Sequence, residues 1–395
     1  MNKTIEEYLS TTTLIDIKIL KQYTQQGLPE TVRSTVWKVL SGYLPVDISL
    51  HKSKQKVKKD EYIKLIQYHF NVSKNKYKKA WKSVVVQIKK DIPRTFLKPY
   101  QIFKNEQFRK IIGRIAIIWS FEHSDILFFQ GLLDWIGLII IPYLYEYVPF
   151  EQAHKIENLS DFTEKWLFQV ETDCYFTLCH ILDLYKPILE NDFSRMFQAV
   201  EVIKNILQKH NQQLYNHMNS DDVYLMGIKS FICPFTRNFE FPELFRIFDA
   251  LLTTDMYHAH FYFVTCLYIE NEESIMKAED NFEMIFTIQD LPTKDWNMHQ
   301  TRVYLKTALQ LYRKDWEERN VIFKPMSKPA PIATFMKMND TTALQKQLPM
   351  IHSIVTELLV YSFAHLLMRL IISLITVMVC VMKIVLQWKM THLYF

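Results

Sequence analysis

The chain has 395 residues, of which 49% are hydrophobic and 23% are charged, the composition of a folding protein rather than a disordered one. Only 6 residues are glycine, whereas Rossmann domains, phosphate loops and sheet-rich folds need glycine at positive-φ turns and close backbone approaches. The composition therefore argues against those classes and favours an all-α fold, and the net charge of +5 is too small to indicate nucleic-acid binding.

The first part of the chain contains the turn and helix signals that matter most. Residues 1–23 form an N-terminal segment with one short predicted helix over 14–23. A turn at Gly27-Leu28-Pro29-Glu30 then starts a predicted helix from Glu30 to Leu40, because Pro is well tolerated at a helix start. That helix is expected to end at Gly42, a residue type that favours helix C-termini.

Two helices are predicted next, over 60–70 and 77–91. In the second, apolar residues recur at three- and four-residue spacing and form one face. Pro93 ends this helix, because the residue before Pro is pushed out of the α region. Arg94 is therefore expected just past the helix end, on a turn that a buried face holds in place. The apolar residues are Trp81, Val84, Val85, Ile88 and Ile92.

The rest of the first 318 residues is also predicted to be helical. The segment 132–147 is strongly apolar, which indicates a buried core helix. The other predicted helices cover 108–121, 161–183, 193–207, 221–232, 243–252, 258–271, 281–288 and 300–317.

A locally basic stretch runs from Lys52 to Lys110. A solvated helix face explains such a run of lysines, and attraction to a membrane or to a partner is the alternative. The sequence alone leaves both open.

The C-terminal part differs from the rest. Residues 319–350 contain Pro325, Pro329 and Pro331 and are predicted to be a linker. In the hydrophobic tail, 351–395, Arg369 is the only charged residue between positions 358 and 382. A helix of that length spans about 37 Å, enough for a hydrocarbon core of about 30 Å. We predict a transmembrane helix over 358–382, the alternative being a buried or lipid-surface helix.

Sites for metals, nucleotides and disulfides are not indicated. The chain lacks the phosphate-loop, dinucleotide, zinc-protease and nucleophile-elbow motifs, and His258-Ala-His260 alone is a weak metal signal. Five cysteines are present without a C-x-x-C pair, so neither zinc binding nor a disulfide framework is expected. A reducing compartment is expected instead. The cysteines are Cys174, Cys179, Cys233, Cys266 and Cys380.

Several short strings in a fixed order resemble the TBC domain, the module of Rab GTPase-activating proteins. The first half contains Gly27-Leu28-Pro29 with Arg33, Trp37 and Ser41-Gly42-Tyr43-Leu44-Pro45, then Ile88-Lys-Lys-Asp91-Ile-Pro-Arg94-Thr95 and Phe128-Phe-Gln130-Gly131. The second half contains Arg237, Arg246-Ile-Phe-Asp249 and Leu291-Pro-Thr-Lys-Asp-Trp296. Each string is weak alone, but their order is specific. The resemblance implies an all-α, two-lobed TBC domain over 24–318, closest to the Golgi-associated branch of the family.

The resemblance also implies roles for individual residues. Arg94 would be an arginine finger that neutralises charge in the transition state of GTP hydrolysis. Gln130 would be a glutamine finger that orients the attacking water. Asp91, Phe128 and Gly131 would support the two turns. Trp37, Trp119 and Asp249 we interpret as core and scaffold.

The expected partner is a Rab-family small GTPase in its GTP-bound form, which carries the GTP and Mg²⁺. The protein itself would need no cofactor and no metal, and no nucleic acid would bind. The expected location is the cytoplasmic face of endomembranes, such as the Golgi. The protein would be either anchored there by its hydrophobic tail or bound peripherally.

Some positions depart from the family pattern. The family has Tyr where this chain has Phe128, a small residue at Leu127, Trp at Phe248, and Glu at Asn238. Loss of the tyrosine hydroxyl removes one hydrogen bond, worth about 1 kcal/mol. The alternative function is therefore a catalytically weak or inactive TBC-fold adaptor that binds a Rab or a trafficking partner.

Overall fold

A computed structural model describes residues 3–95, 100–147, 159, 162–190, 193–292 and 296–318. Within these ranges the regular structure is helical, apart from an isolated bridge between Leu14 and Asp47. The predicted all-α fold is confirmed. The predicted linker over 319–350 and the predicted membrane helix over 358–382 lie outside the described residues.

The helices of the described ranges are numbered in chain order. A 3₁₀ turn, Ile48–Leu50, precedes α4, a π turn, Tyr68–Ser73, follows it, and a second 3₁₀ turn, Ile92–Arg94, follows α6. The α-helices are α1 (Ile5–Thr11), α2 (Ile17–Gln26), α3 (Glu30–Leu40), α4 (His51–Gln67), α5 (Lys74–Lys76), α6 (Lys78–Asp91), α7 (Glu106–Glu122), α8 (Leu132–Leu144), α9 (Glu164–Leu189), α10 (Phe193–His210), α11 (Gln212–His217), α12 (Asp221–Ile232), α13 (Phe241–Leu251), α14 (Met256–Glu270), α15 (Glu272–Met276), α16 (Asn281–Gln289) and α17 (Met298–Glu318).

The limits of α2 and α4 differ from those predicted. The first begins at Ile17 rather than 14, because the Asp16 carboxylate accepts a hydrogen bond from the Lys18 amide at 2.7 Å and caps the helix there. The second begins at His51, nine residues before the predicted start. Its first turns have no apolar periodicity. Instead, the Lys58 ammonium lies 4.2 Å from the Phe176 ring centroid, a cation–π contact that holds a charged helix on the core.

The hydrophobic core is centred on α8. Every residue of this helix is buried, and it packs against α3, α7 and α9. Trp135 packs between Tyr185 and Phe248, with ring centroids 5.0 and 5.7 Å away. The segment 132–147 was predicted to be the core helix, although the helix itself ends at Leu144. The loop that precedes α8 is therefore attached to a fully buried and closely packed helix.

Asp249 joins the beginning of the domain to α13. Its carboxylate is fully buried and accepts hydrogen bonds from the Trp37 indole at 2.8 Å, the Leu28 amide at 3.0 Å and the Arg33 guanidinium at 3.3 Å. A buried carboxylate without these donors would cost several kcal/mol. Trp37 and Asp249 are thus structural, as predicted, and Trp119 is also fully buried.

Helices long and apolar enough to cross a membrane are absent from the described ranges.

Candidate functional site

Arg94 lies on a 3₁₀ turn that is fixed from two sides. The Asp91 carbonyl, at the end of α6, accepts hydrogen bonds from both the amide and the hydroxyl of Thr95, each at 3.0 Å. On the other side, the Ile92 side chain lies over Gly113 of α7, where an added Cβ would come within 3.1 Å of it. The backbone is therefore held, while the Arg94 side chain is 65% exposed.

Asp91 orders this turn through its backbone more than through its carboxylate. The carboxylate lies 4.0 Å from the Arg94 guanidinium, which is a long ion pair. Burial raises the pKa of Asp91, and the charge of Arg94 offsets part of that rise. Asp91 was predicted to support the Arg94 turn, and its carbonyl has the geometry for that role.

Gln130 lies in the loop between α7 and α8, and aromatic contacts attach this loop to α7. The Trp119 ring stacks on His123 at 4.3 Å and meets the edge of Phe129 at 5.7 Å. Phe128 is buried. The Gln130 side chain is half-buried and has no hydrogen-bond partner among the described residues. Its amide is consequently available to a ligand or a partner.

At position 131 of this loop, only glycine fits without strain. Its φ is +120°, and an added Cβ would lie 2.4 Å from the Ile232 carbonyl oxygen. Its own carbonyl accepts hydrogen bonds from the Asp134 and Trp135 amides and so starts α8. The support predicted for Gly131 therefore has a direct physical basis.

We expect Gly131→Ala to lower the free energy of unfolding by about 2 kcal/mol or more, because strain at positive φ adds to a clash with backbone. Gly42→Ala is the matched control. Gly42 also has a positive φ, +83°, but the nearest atom to an added Cβ is 3.8 Å away, so it should lose only about 1 kcal/mol. Urea unfolding of both variants measures the difference, and equal losses would show that the Ile232 contact does not matter.

An ion pair between the buried Asp134 and the exposed Arg237 lies close to the two turns. Arg237 contacts both carboxylate oxygens of Asp134, at 3.1 and 3.3 Å, across 103 positions of sequence. Burial raises the pKa of the Asp134 carboxyl, and the Arg237 guanidinium offsets part of the rise. The charges of Asp134 and Arg237 both act on Asp91, so the pair belongs to the surroundings of both turns. Arg237 belongs to the family-like strings of the sequence, but nothing in the sequence indicated that it pairs with Asp134.

The two histidines of the His258-Ala-His260 string serve separate structural roles. His258 contacts the Asp255 carboxylate at 3.0 Å. His260 is fully buried, accepts or donates one hydrogen bond with the Tyr185 hydroxyl at 2.8 Å, and stacks on Phe231 at 4.0 Å. Burial lowers the pKa of His260 to about 3. Neither histidine is arranged as half of a metal site.

Taken as chemistry, the two turns present one permanent cation, Arg94, and one neutral amide, Gln130. A guanidinium has five N–H donors in a planar fork and can neutralise charge on two oxygens at once. An amide both donates and accepts hydrogen bonds, which suits it to orient a water molecule. The described part of the chain contains no cluster of three residues that could hold a metal ion.

Comparison with known proteins gives consistent matches. A family model described as the Rab-GTPase-TBC domain matches residues 30–276. TBC1 domain family member 22A of Homo sapiens is 23% identical over 303 residues, which is 75% of this chain and 57% of that protein. GTPase-activating protein gyp1 of Schizosaccharomyces pombe is 23% identical over 304 residues, 75% of this chain and 58% of that protein. The chain thus spans less than two thirds of the length of these relatives.

A solved structure matches at the level of the fold. The crystal structure of the Ypt/Rab-GAP domain of Gyp1p superimposes with a TM-score of 0.71 and 23% identity, covering 80% of this chain and all of that one. At this identity the match supports the helical architecture.

Proposed function

Because the chain belongs to the Rab-GTPase-TBC domain family, as the order of its motifs predicted, we propose that it accelerates GTP hydrolysis by a Rab-type small GTPase. The observation that carries this proposal is the presence of an exposed guanidinium, Arg94, and of an amide without a described hydrogen-bond partner, Gln130, on two turns whose backbones pack against the core. GTP and Mg²⁺ would be carried by the GTPase, and this chain would need no cofactor of its own.

In the proposed mechanism each side chain supplies a group that the GTPase provides poorly. Negative charge spreads over the transferred phosphoryl group and the leaving oxygen in the transition state, and an arginine supplied in trans neutralises it. Arg94 would take that role, since its side chain extends into solvent from an immobile backbone. Gln130 would hold the attacking water in line, through an amide that no described neighbour engages. Such positioning reduces the barrier without any covalent step on this chain.

The experiment that tests this function is single-turnover GTP hydrolysis by a panel of GTP-loaded Rabs, with and without the protein. We expect at least one Rab to be stimulated by orders of magnitude. Binding to a GTP-loaded Rab without stimulation would instead establish the alternative function, an adaptor.

The adaptor alternative is favoured by one feature of the Gln130 loop. Leu127 is buried yet has a φ of +61°, a conformation that costs a side chain of this kind about 1 kcal/mol or more. Phe128, next to it, lacks the hydroxyl that the family uses. A loop that stores strain and has one hydrogen bond fewer could hold Gln130 less firmly, so the panel should include a long incubation that detects weak stimulation.

We further propose that the segment 358–382 anchors the protein to an endomembrane, such as the Golgi, with the helical domain on the cytoplasmic side. Truncation after Met350 should move the protein from the membrane fraction to the soluble fraction. Its stimulation of a soluble Rab should not change, because Arg94 and Gln130 lie in the domain that remains. If carbonate strips the full-length protein from membranes, the segment is peripheral and the anchor is wrong.

A further inference from the structure

The exposed face of α6 has an unusual composition. Its buried side, formed by Trp81, Val84 and Ile88, faces the core. Every exposed residue of the helix is a lysine except one valine, and we call this set the lysine stripe. The stripe consists of Lys78, Lys79, Lys82, Val86, Lys89 and Lys90.

The lysines of the stripe have no close acidic partners in the described part of the chain. None of its five lysines forms an ion pair with another residue that the structure describes. Like charges spaced three or four residues apart destabilise a helix. Repulsion among these lysines therefore lowers the stability of α6. A covering negative surface would remove that repulsion.

Charge is also unevenly distributed over the whole chain. Between Leu50 and Lys90 lie thirteen of the 47 basic residues and only two of the 42 acidic ones, so the rest of the chain has a net charge of −6. The stripe extends about 18 Å along the helix axis, from Lys78 to Lys90. The stripe therefore lies in a strongly positive segment of a chain that is otherwise slightly acidic.

The type of cationic side chain indicates whether the stripe binds a lipid surface or a protein surface. All thirteen basic residues between Leu50 and Lys90 are lysine. Protein interfaces are enriched in arginine and depleted of lysine, because the arginine fork makes geometrically specific contacts. Lysine acts as a point charge, and mobile anionic headgroups can gather around such charges in any arrangement.

Exposed apolar side chains accompany the lysines. Val86, in the middle of the stripe, is 41% exposed. Val57 on α4 and Tyr68 and Val72 on the π turn after it are also exposed and lie in the same lysine-rich part of the sequence. Apolar groups among lysines are typical of surfaces that rest in the headgroup region of a bilayer. We propose that the lysine stripe docks on the anionic headgroups of a lipid bilayer.

Docking would have a consequence for the candidate site. The stripe ends at Lys90, four residues before Arg94, and the two are joined by the fixed 3₁₀ turn. A docked stripe therefore holds the Arg94 turn close to the bilayer surface. This orientation would come from the domain itself and would be independent of any contact made by residues 358–382.

The test places an environment-sensitive fluorescent residue at position 86 of the full-length chain. The control places the same residue at Val303 of α17, which is 43% exposed and so nearly equal to Val86. Each protein is mixed with vesicles of phosphatidylcholine alone or with added phosphatidylserine. We expect a blue shift at position 86 only on the vesicles that contain phosphatidylserine, and no shift at position 303. Contacts made by the apolar tail would be present with both kinds of vesicle.

Charge variants extend the test. In the first, Lys78, Lys82 and Lys89 are each replaced by Glu. In the control, Lys18→Glu, Lys306→Glu and Lys314→Glu make the same change in net charge at exposed positions outside the stripe. Each lysine near a phosphatidylserine-rich surface contributes about a fivefold gain. The first variant should therefore reduce the ratio of docked to undocked stripe by about 100-fold or more, and the control should not change it.

Three results would overturn the proposal. The shift at position 86 could be absent on anionic vesicles, or equal on both kinds of vesicle. It could also be produced by a GTP-loaded Rab without vesicles and lost in the Lys78, Lys82 and Lys89 variant, which would make the stripe a protein interface. None of these readouts uses GTP hydrolysis, so failure here is distinct from failure of the proposed function.

Discussion

Replacing Arg94 with Lys should lower the stimulated rate of GTP hydrolysis by about 10³-fold or more, the range that arginine fingers contribute. Lysine keeps the positive charge but presents it as a point, so it cannot neutralise two oxygens at once. The Arg94 side chain is 65% exposed, and among the described residues it forms an ion pair with Asp91, at 4.0 Å. Fold stability and binding of the GTP-loaded Rab should therefore remain nearly unchanged.

Single-turnover hydrolysis with a soluble Rab, together with a direct binding measurement, separates the two effects. A loss of rate at constant affinity indicates an interaction made only in the transition state. Lys90→Ala is the matched control, since it removes an exposed cation four residues earlier, at the end of α6. Parallel losses of affinity and rate in Arg94→Lys would make this residue part of the binding surface rather than a finger.

Gln130→Ala should reduce the stimulated rate by about 10²- to 10³-fold, the cost of removing one positioned hydrogen-bonding group from a transition state. Stimulation by the unaltered protein should persist with a Rab whose own switch glutamine is replaced, because Gln130 would supply the water-orienting amide. Gln87→Ala on α6 removes another half-buried amide and should have little effect.

The pair of substitutions makes this prediction specific. If the water is oriented by Gln130, activity depends on this chain's glutamine and tolerates loss of the Rab's. The opposite pattern, dependence on the Rab's glutamine with Gln130→Ala active, would leave Arg94 acting alone. Urea unfolding of Gln130→Ala should match the unaltered protein, because the Gln130 amide contributes no described hydrogen bond.

Much of the fold could be predicted because the relevant signals are local. The apolar face of α6 and Pro93 set the end of that helix, and the structure has it end at Asp91. By contrast, the first half of α4 has no apolar periodicity, and the cation–π contact that holds it comes from Phe176, more than a hundred residues later. Pattern reasoning cannot detect a partner at that distance.

The candidate site was predictable in part for the same reason. Arg94, Gln130 and Gly131 lie in short strings whose spacing is fixed. The ion pair between Asp134 and Arg237 depends on how α8 meets the segment after α12, which is a property of the packed molecule. The left-handed backbone at Leu127 has no sequence signal either, since leucine rarely adopts it.

The carboxylate of Asp249 has a consequence for how the chain folds during synthesis. Arg33 is buried against it, 216 positions earlier in the sequence. Ribosomes add about 5–20 residues per second, so the segment around Arg33 waits roughly 10–40 s before Asp249 has been translated. In that interval Arg33 can pair with Glu30, three residues before it, but burying the Trp37 indole and the Leu28 amide would leave both donors without their acceptor. The nascent N-terminal part should therefore remain unfolded and accessible to chaperones until α13 has left the ribosome, and ribosome-bound chains stalled before Asp249 should be sensitive to proteases.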